Sequence, residues 1–202
     1  MKKFFAVTAA FLICVIYVSA QSAGPGIRQF GDLIGSGTVT LTATGNGVSS
    51  GFAVDGSLKN NTQNKININV NIGNGIYLKN SGKGQNMLAV QVFLSDGRYN
   101  FDGKNYFIVL PAGAVIGIVF NAFCSNFDLD NPSSGQTFTA ISIPQGIKDI
   151  ASRISKYAAD NLNSDADYIV AAQLALWPPR EIQERKLMKN LILIVMTGIT
   201  RL

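Results

Sequence analysis

The 202-residue chain contains no histidine, and its only glutamates are Glu181 and Glu184. Without histidine there can be no Ser-His-Asp triad, no Cys-His dyad and no zinc site of the usual histidine-containing type. Cysteine is equally scarce. Cys14 lies in an N-terminal apolar run, which leaves Cys124 as the one thiol of the rest of the chain. That count rules out an intramolecular disulfide and a cysteine-only zinc site. Catalysis would fall to Asp, Lys, Tyr or Cys124, and no two aspartates stand at a spacing that marks an acid-base pair. The expectation is a protein that is not an enzyme.

A one-signed charge is missing too. The formal net charge is +5, but Lys2, Lys3, Arg180, Arg185, Lys186, Lys189 and Arg201 sit at the two ends, and between Gln21 and Trp177 ten Lys/Arg balance ten Asp. A neutral body has no basic stripe for phosphate contacts, so no nucleic-acid partner is expected.

What is present starts with an address. Lys2 and Lys3 precede an apolar run over residues 4–18, and Val18-Ser19-Ala20 then offers small residues for cleavage. Residues 1–20 therefore read as a secretory signal peptide, placing the protein in a secreted, periplasmic or cell-surface location. The run is shorter than the roughly 20 apolar residues that span a bilayer, and no transmembrane helix is expected in the mature chain. The 182 residues that remain of the 202 suffice for one domain with a proper core.

Residues 21–37, rich in Gly and Ser with Pro25, read as a flexible leader. From 38 to 143 the period is two: TVTLTATG, GFAVDGSL and KININVNIG alternate, and NMLAVQVFL, KNYFIVL, AVIGIVFNAF and TFTAISI follow as further apolar runs. In KININVNIG, Ile66, Ile68, Val70 and Ile72 should face a core, with Asn67, Asn69 and Asn71 on the solvent side. Asn60-Asn61, Asn74-Gly75, Asp96-Gly97 and Asp102-Gly103 supply hairpin turn chemistry between the strands. Seven or eight short strands without intervening helices argue an antiparallel sandwich or barrel rather than a parallel sheet, and the expectation is a mainly β protein with an antiparallel β-sandwich of immunoglobulin or fibronectin-like type. Tyr77, Tyr99 and Tyr106 fall in strand-like runs, where they pair across strands or form an exposed aromatic strip. Asn60-Asn61-Thr62 is formally a glycosylation sequon.

After Pro144 the period becomes helical. Ile147, Ile150, Ile154 and Tyr157 or Ala158 share a face, and a second helix follows a capping-box pattern at Ser164-Asp165-Ala166-Asp167. Residues 144–177 thus predict a short helical pair packed on the sheet, its second helix apolar on nearly every side and so expected to be buried. Pro178-Pro179 ends it. The tail 178–202 is basic and apolar and carries both glutamates; its apolar stretch is too short for a membrane anchor, an amphipathic surface tail is a second reading, and its abrupt change in composition favours an out-of-frame or truncated end.

Two constellations could carry chemistry. Asn126, Asp128 and Asp130 place oxygen side chains at alternate positions, a partial match to a calcium loop that lacks the closing bidentate Glu. Apart from that calcium, no cofactor is expected. Phe123-Cys124 ends a strand and Gln173-Leu174-Ala175-Leu176-Trp177 ends a helix. Residues 122–177 thereby resemble the thioester domains of secreted bacterial surface adhesins. The resemblance implies that Cys124 is the thiol and Gln173 the acyl donor of an internal Cys-Gln bond, with Ala175 and Trp177 completing the helix motif. Read from the residues alone, Cys124 is equally a small buried hydrophobe, with Gln173 bonded to backbone groups at the sheet. The functional expectation is a secreted or cell-surface, non-catalytic interaction or adhesion module for a protein or glycan ligand. The alternatives are a covalent adhesin and a purely structural surface protein.

Overall fold

The computed structural model describes residues 26–126, 129–160, 162 and 166–176, the side chains of 166 and 167 excepted. The signal segment, Ser164 and Asp165 of the capping box, and the tail 178–202 lie outside the described residues. Among the described residues the order is β1 (Ile27–Arg28), α1 (Phe30–Gly35), β2 (Val39–Gly45), β3 (Ser50–Asn60), β4 (Ile66–Asn69), β5 (Asn71–Asn80), β6 (Met87–Leu94), β7 (Asn100–Phe101), β8 (Tyr106–Leu110), β9 (Val115–Cys124), β10 (Thr137–Ile141), α2 (Lys148–Asp160) and α3 (Ala166–Leu176).

The protein is mainly β, but the expected immunoglobulin-like sandwich is wrong. Six antiparallel strands close into a barrel in the order β10-β2-β3-β9-β6-β5, and β1-β4-β8-β7 form a separate small sheet. Closure depends on β10, which pairs with β2 through Thr137 and Phe138 and with β5 through Phe138 to Ile141. Curvature comes from register shifts between Phe52 and Val54 in β3, Ala89 and Gln91 in β6, and Asn71 and Ile76 in β5. Bulges of this kind bend and twist a strand. The strands also approach closely where side chains are absent: a Cβ at Gly56 would lie 2.4 Å from the Thr42 carbonyl oxygen. A period-two pattern is the same for a barrel and a sandwich, which is why the sequence favoured the wrong closure.

KININVNIG serves both sheets. β4 pairs with β8, and at Val70 the chain leaves it, donating to the Tyr106 carbonyl at 2.9 Å while its own carbonyl accepts from Val92 N–H at 2.8 Å. Ile66, Ile68, Val70 and Ile72 are all buried. The asparagines are half-buried rather than fully wet, and two have specific tasks. Asn69 Oδ1 accepts from Asn71 N–H at the corner, and Asn71 Oδ1 accepts from Gln91 Nε2.

The leader assignment also fails for the part that is described. β1 pairs in parallel with β4, and α1 buries Phe30 and Leu33 completely, with Phe30 edge-on to Phe120 at 5.5 Å. Each such side chain contributes roughly 1.5–3 kcal/mol by leaving water. One core fills the barrel and reaches under the small sheet. A second lies outside the barrel, where Leu88, Val90 and Phe123 meet Ala151, Ile154, Ala158, Tyr168, Ala172 and Leu176 of α2 and α3. This explains why β6 is buried along both faces for seven consecutive residues, Met87 to Phe93. α3 is not buried all round, since Val170 stays exposed.

Candidate functional site

Cys124 is the last residue of β9, and pleating sends successive side chains to opposite faces. Phe123 therefore enters the helix-covered core and Cys124 the barrel core, with its Sγ 3.4 Å from Met87 Sδ. α3 crosses outside this strand end, held by Tyr168, whose ring is edge-on to Phe123 at 5.8 Å and whose hydroxyl donates to the Ile154 carbonyl at 3.0 Å. Its packing brings Gln173 onto Cys124. Gln173 Oε1 accepts from Cys124 N–H at 3.0 Å, and Gln173 Nε2 donates to the Cys124 carbonyl. Both residues are buried.

The fold thus joins two candidate residues 49 positions apart, through the carboxamide of one and the backbone of the other. Burial pushes the Cys124 thiol up to about 12, so it stays protonated at neutral pH. Burial likewise raises the Tyr168 phenol, with the nearby Tyr157 adding to the shift. Ala175 packs at the edge of the helical core, and Trp177 lies outside the described residues.

Of the candidate calcium ligands, the described residues place Asn126 and Asp130. Asn126 Oδ1 is turned inward, where it accepts from Asn86 N–H at 3.0 Å and lies 3.1 Å from Ser125 Oγ. Asp130 is exposed, and Asp128 lies outside the described residues. Among the described residues no group of three or more His, Cys, Asp or Glu could hold a metal ion. The sequon is equally occupied: Asn60 is buried, its Nδ2 donating to the carbonyls of Asn64 at 2.8 Å and Pro111 at 2.9 Å.

A second amide cluster escaped the sequence reading. Gln91, fully buried in β6, accepts from Asn121 Nδ2 at 2.9 Å and donates to Asn71 Oδ1 at 3.2 Å and the Ala158 carbonyl at 2.6 Å. It ties three barrel strands to the C-terminal end of α2, where carbonyls otherwise lack helical partners.

A run of aromatic contacts links the barrel to the small sheet. Phe52 meets Phe93 at 5.5 Å, Phe93 meets Tyr99 at 6.0 Å, Tyr99 meets Tyr106 at 5.4 Å, and Tyr106 stacks on Phe101 at 4.6 Å. Phe52 and Phe101 are each 55 % exposed and Tyr99 40 %, while Phe93 is buried as the anchor. The run joins β3 and β6 of the barrel to β7 and β8 of the small sheet. Of the three tyrosines singled out in the sequence, Tyr99 and Tyr106 belong to it. Tyr77 is elsewhere, buried, with its hydroxyl accepting from Ser125 Oγ at 2.8 Å. Phe101 was open to detection two residues after Tyr99. Phe52 was not, because only strand register brings it there.

A cleft of about 360 Å³ lies between β1 and the turn before β4, lined by Arg28, Thr38, Thr62 and Lys65 among others. No helix among the described residues is long and apolar enough to cross a membrane. Comparison with protein-family models, characterised proteins and solved structures found no match for this chain.

Proposed function

We propose that this is an exported contact module, secreted or held at the cell surface, that binds a protein or glycan without chemical turnover. The observation that carries this reading is the aromatic run, three of whose five rings are substantially exposed. Of the exposed rings, Tyr99 and Phe101 flank the half-buried Tyr106, and clustered exposed aromatic side chains mark interaction sites, where they dominate contact energetics. The absence of histidine from the sequence is in keeping with a role that needs no acid-base group. The test is retention of partners on immobilised mature protein, using glycan and peptide arrays. Binding that falls at least tenfold in Phe101→Ala supports the reading. Silence across both arrays leaves a structural surface role instead.

A second reading, the covalent adhesin, starts from the adjacency of Cys124 and Gln173, but Gln173 meets the Cys124 backbone while Cys124 Sγ faces Met87 Sδ in the barrel core, so the strand end must turn over before the bond can form. In that chemistry a bond forms between Cys124 Sγ and Gln173 Cδ, the bond from Cδ to Nε2 breaks, and the nitrogen leaves as ammonia with the thiol proton. An amine on a partner then attacks Cδ, forming an amide and returning a proton to Sγ. Because burial keeps the thiol protonated, its proton must pass to the departing nitrogen as the new bond forms. Intact mass decides: a deficit of one ammonia that disappears in Cys124→Ala supports the bond, and full mass with a titratable thiol ends it.

A further inference from the structure

The chain carries one tripeptide twice, Gly45-Asn46-Gly47 and Gly73-Asn74-Gly75, and the fold holds the two copies differently. We infer that the second copy is a self-modification site, where Asn74 converts to aspartate and isoaspartate and the isoaspartyl product loosens α2. Asparagine before glycine suits this chemistry because no Cβ shields the nitrogen that attacks. That nitrogen, Gly75 N, bonds to Asn74 Cγ while the bond from Cγ to Nδ2 breaks, and ammonia leaves with the proton that Gly75 N gives up. Water then opens the cyclic imide on one side or the other. Attack at Cγ yields aspartate with the main chain as before. Attack at the Asn74 main-chain carbonyl yields isoaspartate, whose main chain runs through Cβ and Cγ and is longer by a methylene.

Asn46 is pinned against this reaction. Its Nδ2 donates to the Phe52 carbonyl at 2.7 Å and its Oδ1 accepts from Val48 N–H at 3.1 Å, so turning Cγ onto Gly47 N breaks both bonds. Asn74 is exposed and lies inside β5 rather than at a hairpin turn. Among the described residues its side chain makes one hydrogen bond, a long contact of 3.5 Å in which Oδ1 accepts from Ser152 Oγ of α2. The main chain there is unladdered as well. Register with β6 breaks between Asn71 and Ile76, and pairing with β10 covers Tyr77 to Asn80. Gly73 and Gly75, at φ of +71° and +87°, set no side chain beside Asn74.

The consequence for α2 follows from how Gly75 is packed. A Cβ at Gly75 would lie 3.0 Å from Leu88 Cδ1, 3.1 Å from the Ala89 carbonyl oxygen and 3.2 Å from Ser155 Oγ. Ser155 is a buried residue of α2, and Leu88 belongs to the core that α2 covers. Aspartate at position 74 leaves the chain its length and this packing intact. Isoaspartate inserts a methylene into the main chain directly before Gly75, where close-packed neighbours leave no room for it, and packed interiors feel a change of that size. The displacement falls on Leu88 and on the Ser155 face of α2.

The test ages the folded mature protein and the same chain unfolded in urea side by side in warm neutral buffer, and maps aspartate and isoaspartate at both positions by peptide mass spectrometry. In the folded protein Asn74 should convert about tenfold faster than Asn46, or more, because Asn46 alone must first give up two hydrogen bonds. In urea the two rates should converge. Asn46 keeping pace with Asn74 in the folded protein overturns the inference, and so does an Asn74 that stays intact. The aged protein should show a lower thermal midpoint and faster amide exchange across α2. Asn74→Gln, whose longer side chain closes a ring poorly, should keep both at their starting values through the same incubation. Fresh Asn74→Asp should match fresh wild type; if it is already as destabilised as the aged protein, the new charge and not the inserted methylene is responsible, and the α2 mechanism is overturned.

Discussion

Two aromatic groupings in this molecule differ in what covers them. Phe123 of β9 meets Tyr168 of α3 edge-on at 5.8 Å, Tyr168 stacks on Tyr157 of α2 at 4.6 Å, and Phe123 and Tyr168 are sealed from water. Phe52, Phe93, Tyr99, Tyr106 and Phe101 meet at similar distances, yet among the described residues Phe52, Tyr99 and Phe101 keep much of their surface open. The contact geometry is the same, so geometry does not separate a mortar from a surface. Cover does. Leaving Phe52, Tyr99 and Phe101 in water forgoes about 25 cal/mol for each Å² not buried, and a fold that seals one grouping between sheet and helices while exposing rings of the other directs attention to the exposed ones.

The sharpest way to break the comparison is truncation within the covered group. Phe123→Ala removes a ring on which both helices pack and should cost about 3–5 kcal/mol, read from the urea midpoint at unchanged slope. A loss below 1 kcal/mol would mean that the helices are not seated as described. Next comes Gln173→Ala, which strips the Cys124 N–H and carbonyl of their buried partners. We expect a loss of about 1–3 kcal/mol and faster exchange of the Cys124 amide.

Alkaline pH probes the same junction more gently. The folded thiol titrates near 12, above its ordinary value of 9.0, so the folded protein keeps a proton that the unfolded chain has already lost. Stability is therefore whole below about pH 9 and declines as pH climbs toward 12, by of order 1 kcal/mol between pH 9 and 10. Cys124→Ser should flatten that decline. The smallest effect belongs to the exposed group: Phe101→Ala should shift stability by no more than about 0.5–1 kcal/mol. If it equalled Phe123→Ala, the run would be structural and the contrast between the groupings would vanish.

The sequence carried the local pattern well and the global closure poorly. Alternation at Ile66, Ile68, Val70 and Ile72 marked four buried positions, and the change to a helical period after Pro144 marks the stretch where α2 and α3 lie. Closure was illegible because alternation records which face is apolar and not whether the last strand returns to the first. α1 was hidden because Phe30 and Leu33 stand among glycines, where six residues are too few to display a period. Cys124 and Gln173 drew notice through their residue types and the adhesin resemblance. Gln91 and Asn121 did not, since a mid-strand amide looks the same whether it faces solvent or anchors a helix end. Asn126 and Asp130 looked like ligands because spacing along a chain says nothing of direction, and Asn126 points its oxygen inward.

The ring of six strands is completed by five residues of β10. If that latch peels away, the cylinder unrolls into a ribbon with two raw borders, β2 on one side and β5 on the other, each offering unpaired amides to any neighbouring chain. Damage confined to residues 137–141 should therefore show itself first as filament seeding and protease nicking, well before the rest of the wall has come apart.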